Sequence, residues 1–143
     1  MRELLSKSYK LFWVLIPFVF MYGLFNKEHF SSVNIGANFY VFSDQTFSVV
    51  IVIFFILFGL GYWLMDFFQK QLITWMTAYH VYISIFGMLI LLVFYGYFQE
   101  LEIDYAFRET IMMLMFIIAA ITIAAQLLFP LNFLVYFLRK KKH

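Results

Sequence analysis

The chain has 143 residues, of which 65% are hydrophobic and only 13% charged, with a net charge of +2 and a mean hydropathy of +0.90. A soluble domain carries about 25% charged residues, so this composition excludes an ordinary soluble domain. So small a net charge also gives no reason to expect nucleic-acid binding. The absence of cysteine removes disulfide scaffolds, thiolate metal sites and cysteine nucleophiles together.

Arg2, Lys7 and Lys10 precede a first apolar run over residues 11–25. Charge followed by apolar residues is also the pattern of a signal peptide. Here no small-x-small cleavage site follows, and the next residues are Asn26, Lys27 and Glu28, so the run is read as a retained first membrane helix over about residues 10–25. A second is expected over 39–65, with a polar entry at Ser43, Asp44 and Gln45. A third covers 72–98 and a fourth 111–138. Each approaches or exceeds the ~20 residues that a helix needs to cross a hydrocarbon core. The connections are short, so the expected fold is all-α: one domain over residues 1–143, a four-helix transmembrane antiparallel bundle.

Orientation follows from Lys and Arg in the short flanks. An even number of spans puts both termini and the second loop on one side. That side holds Arg2, Lys7, Lys10, Lys70, Arg139, Lys140, Lys141 and Lys142, against Lys27 and Arg108 on the other. Acidic residues run the opposite way, with Glu3 and Asp66 facing Glu28, Asp44, Glu100, Glu102, Asp104 and Glu109. The basic side is therefore expected to be cytoplasmic, and the location an integral one in a bacterial inner membrane. Trp13, Trp63 and Trp75 fall near the basic boundary, and Tyr95 and Tyr97 near the other, as an aromatic belt requires. The C-terminal Arg-Lys-Lys-Lys is read as a topology anchor in contact with anionic lipid.

Polar residues inside the spans carry most of the remaining information. Thr77, His80, Ser84 and Gly87 follow at i, i+3, i+7 and i+10 and share one stripe of the third helix. Thr122, Gln126 and Pro130 share a face of the fourth, with Asn132 nearby, beside the small residues Ala119, Ala120, Ala124 and Ala125. Gly59 and Gly61 are expected to admit a neighbouring backbone. An ionisable group at depth points to a ligand or proton-relay role. The alternative for His80 is a neutral imidazole bonded to a neighbour such as Gln126, and packing is the favoured reading. Asp44 and Asp66 lie near the two boundaries, where both can stay hydrated. His29 falls in an outer loop and His143 is the last residue. No phosphate-binding loop, catalytic triad or paired-carboxylate pattern is present.

Residues 37–43 (Ala-Asn-Phe-Tyr-Val-Phe-Ser) at the opening of the second helix, Gly59-Leu-Gly-Tyr-Trp63 at its close, Trp75, His80 and Gly87 in the third, and Phe129, Asn132, Tyr136 and the basic tail in the fourth make a recognisable order. It resembles the C-terminal quarter of the catalytic subunit I of haem-copper terminal oxidases, over about residues 30–142. There a D-T-Y-F-V-V-x-H-F-H segment leads into a helix ending Y-W. The H-x-H pair supplies haem ligands in that family, and Asp44 and Thr46 stand at the matching positions here. The resemblance therefore implies retained helix packing without the redox centre, and it gives His80 no ligand role.

Together these readings imply a non-catalytic membrane subunit that holds other membrane subunits through its helix faces, within a respiratory complex or as a homo-oligomer, with no cofactor of its own. The second reading is a small membrane protein binding haem or quinone through His80, beside Tyr79 and Tyr82. A transporter ranks last, because charged pairs and paired broken helices are missing from the spans.

Overall fold

The computed structural model describes residues 7–35, 38–70, 72–100 and 105–140. Of the residues singled out above, Arg2, Glu3, Ala37, Glu102, Asp104, Lys141, Lys142 and His143 lie outside the described residues, as do the side chains of Tyr95, Tyr97, Glu100, Arg139 and Lys140. The first apolar run forms α1 (Ser8–Phe25). It is followed by an antiparallel pair, β1 (Phe30–Ile35) and β2 (Asn38–Ser43). The chain then continues through α2 (Asp44–Phe67), α3 (Thr74–Glu100), α4 (Tyr105–Gln126) and α5 (Leu128–Lys140). Among the described residues four stretches are long and apolar enough to cross a membrane, the fourth running through α4 and α5 together.

Two expectations are corrected. The second helix begins at Asp44, not near residue 39, and the preceding residues pair as a short hairpin within a predominantly helical chain. Aromatic and β-branched residues make up three of the six residues of β1 and four of the six of β2, the composition that favours a strand. The second correction is a break in the fourth helix at Leu127. Pro130 has no N–H to give the Gln126 carbonyl, and its ring crowds that position. The α-helical ladder resumes only with Leu131 N–H on Leu127 O at 3.2 Å.

Local chemistry fixes the helix ends. Ser43 is extended (φ −78°, ψ 148°), and its hydroxyl accepts from the Thr46 N–H at 3.2 Å, capping α2. Asp44 in the first turn adds a favourable charge to the helix dipole. At the other end Gln69 has φ 53°. Its N–H reaches Asp66 O at 2.9 Å, and Lys70 N–H reaches Met65 O at 2.8 Å. That pairing is a Schellman cap, with glutamine where glycine is usual.

The helices pack as two groups. Trp13 of α1 lies against Gly59 of α2, and Ser48 of α2 against Gly23 of α1, while Thr122 of α4 lies against Gly87 of α3. Phe129 of α5 fills the space at Gly61. Gly59 and Gly61 thus receive aromatic rings, where the sequence suggested a close backbone. The core joining the groups is Phe12 and Val19 of α1, Ile51, Phe55, Phe58 and Tyr62 of α2, and Val81, Ile85, Met88 and Leu92 of α3.

A sealed polar centre as the candidate functional site

His80 lies where all five helices meet. Its ring is fully buried, with Phe58 edge-on at 4.7 Å, Phe129 at 5.3 Å, Tyr62 at 5.7 Å and Phe12 at 6.3 Å between centroids. Both ring nitrogens are engaged. Nδ1 is 2.9 Å from the Tyr62 hydroxyl, and Nε2 is 3.2 Å from Gln126 Oε1.

A main-chain carbonyl sets the proton positions in this network. Thr122 O can only accept, so the Gln126 atom 2.7 Å away is Nε2, acting as donor. The Gln126 oxygen then faces His80, so His80 Nε2 carries the hydrogen. In the neutral ring Nδ1 is left bare and accepts from the Tyr62 O–H. Ser84 closes the circuit, its Oγ lying 3.1 Å from Gln126 Nε2 and 3.3 Å from Oε1. The α3 and α4 stripes read from the sequence therefore meet through His80, Ser84 and Gln126.

Thr77 and Thr122 take other partners. Thr122 donates to its own helix at Ile118 O, 2.7 Å away. Thr77 accepts from Asn132 Nδ2 at 3.0 Å. Asn132, fully buried on α5, also accepts the Ile73 N–H at 2.9 Å and donates to Ile73 O at 3.3 Å. A side chain from the last helix so satisfies a main-chain donor at the N-terminus of α3, where the helix's own ladder supplies none. Pro130, placed by spacing on the Gln126 face, is exposed, and the break at Leu127 separates the two residues.

Among the described residues no buried side-chain nitrogen or oxygen lacks a hydrogen-bond partner. No group of three His, Asp or Glu side chains there is placed to hold a metal ion. A ligand at His80 has to displace either Tyr62 or Gln126 and part the surrounding rings.

A second polar pair sits at the opposite end. Asp44, expected to remain hydrated, is 4% exposed and bonds His29 Nδ1 at 2.8 Å through Oδ2. The hairpin explains the pairing. Continuing the register one step past Phe30↔Ser43 sets His29 opposite Asp44, and the Asp44 N–H donates to His29 O at 3.0 Å. Sequence reasoning passed over Tyr62 and His29. The signal for His29 was its mirror position to Asp44 about Gly36-Ala37, usable only once the hairpin is recognised. For Tyr62, one tyrosine among ten, no local signal existed.

The chain matches no family model, no curated protein and no solved structure. At the two positions aligned above with haem ligands, Asp44 is paired with His29 and Thr46 belongs to the Ser43 cap of α2, its hydroxyl 2.8 Å from Ser43 Oγ.

Proposed function

We propose that this chain is a non-catalytic integral membrane subunit that assembles with other membrane subunits through its outer helix faces. It crosses the membrane four times with both termini in the cytoplasm, the orientation favoured by eight Lys and Arg on one side against two on the other. The observation that carries the reading is the closure of the interior. Among the described residues every buried side-chain nitrogen and oxygen has a hydrogen-bond partner, whereas large apolar side chains on α4, such as Met113, Phe116 and Ile123, face outward. The partner class implied by the oxidase-like residues is a respiratory complex.

Purification from native membranes in mild detergent, with mass spectrometry and a visible spectrum of the same eluate, tests this directly. Stoichiometric recovery with other membrane subunits is expected. A lone protein carrying a haem band would instead make His80 a ligand and overturn the proposal.

A further inference from the structure

We propose that α5 is a hinged closure, which swings out as a unit about Leu127 while the other four helices stay packed, and so uncovers an aromatic pocket beside His80. The inference goes beyond the subunit reading and does not depend on it.

The hinge is a main-chain feature. α4 ends at Gln126 and α5 starts at Leu128. The joint is spanned by Leu127 N–H on Ala124 O at 3.1 Å, a tighter turn than the α-helical one, and then by Leu131 N–H on Leu127 O at 3.2 Å. Pro130 has no N–H with which to tie α5 to the Gln126 carbonyl. A few residues at the end of an element are the usual place for a large change in backbone angles.

The attachment of α5 is thin to match. Of residues 127–138 only Asn132 is buried. None of the described α5 side chains is among the buried members of the core that joins α1, α2 and α3, and Phe129 packs against that core while only partly buried. The polar hold is Asn132, bonded to the Ile73 main chain and to Thr77. The apolar hold centres on Phe129, which fills the space at Gly61 and meets the rings of Phe58, Tyr62 and His80. Segments with few buried apolar contacts are the first to open.

What opening bares is defined by what stays behind. Gln126 belongs to α4, so its bonds to His80 and Ser84 lie on the fixed side of the hinge, as does the bond between Tyr62 and His80. The polar circuit survives. The space vacated is that of one phenyl ring, walled by Phe58, Tyr62 and His80. Phe129 is thus the built-in occupant of a pocket shaped for an aromatic ring.

The chain has no cysteine, so single cysteines in the full chain report opening through their rate of alkylation by N-ethylmaleimide in mild detergent without denaturant. Thr77→Cys stands at the Asn132 contact of α5, and Ser48→Cys stands against Gly23 between α1 and α2; both sites are buried. Position 77 is expected to react about tenfold faster than position 48, or more. Adding Asn132→Ala should raise the rate at position 77 about fivefold or more. Adding Val19→Ala, which thins the core on the α1 side, should speed position 48 and leave position 77 unchanged, because α5 opens without disturbing that core. Equal rates at the two positions, or a Val19→Ala variant that speeds both alike, would mean that the bundle opens only as a whole and would overturn the proposal. An Asn132→Ala variant that reacts at position 77 no faster than its parent would overturn it as well.

Discussion

Replacing His80 with leucine keeps the volume of the side chain close to constant but takes away both of its hydrogen bonds. The buried Tyr62 then loses its acceptor and the partly buried Gln126 its donor. Hydrogen bonds between helices in membrane bundles are worth about 0.6–1.7 kcal/mol, so the pair contributes about 1–3 kcal/mol. The edge-on contact with Phe58 at 4.7 Å adds about 0.5–1.5 kcal/mol. The expected total is about 1.5–4.5 kcal/mol, read from unfolding in mixed micelles by the fluorescence of Trp13, Trp63 and Trp75. A double-mutant cycle with Tyr62→Phe isolates the crossing bond, with an expected coupling of about 1 kcal/mol. The nitrogen chemical shifts of His80 provide a readout independent of folding, and the Nε2–H tautomer is expected. A coupling below about 0.3 kcal/mol, or the Nδ1–H tautomer, would refute the arrangement deduced from the Thr122 carbonyl.

Three further outcomes follow from the packing. Gly87→Ala sets a methyl group against Thr122 Oγ1 and should destabilise the fold by about 1–3 kcal/mol. Adding Thr122→Ala should recover most of that loss, as thermal unfolding in detergent will show. Asn132→Ala strands the Ile73 N–H and should cost about 1–3 kcal/mol, with faster hydrogen exchange at Ile73 and Thr77 as its local sign. Gln69→Gly relieves a left-handed backbone at φ 53° and should stabilise by about 1 kcal/mol, visible as a higher unfolding midpoint.

Long apolar runs and polar stripes were legible in the sequence because a helix repeats on a scale that the sequence itself displays. His80 and Gln126 were nominated that way, and the structure brings them to 3.2 Å. The start of α2 was not legible. Residues 39–43 are apolar and continuous with the helix after them, and such a run fits strand and helix equally until its pairing partner is known. The break at Leu127 was signalled by Pro130, yet proline in a long apolar run is also compatible with a kinked continuous helix. What no local pattern carries is which ring fills which glycine. That Phe129 meets Gly61 and Trp13 meets Gly59 depends on how the two helix groups dock.

The enclosure of His80 also has an order in time. Its walls come from residues 12, 58, 62, 126 and 129, so during synthesis from the N-terminus the imidazole on α3 stays open on one side until α4 and α5 have been made. A chain stopped before Gln126 leaves His80 Nε2 without its acceptor, and one stopped before Phe129 leaves the ring of aromatics unclosed. The last helix is thus the lid of the bundle, and its arrival separates a finished chain from an unfinished one.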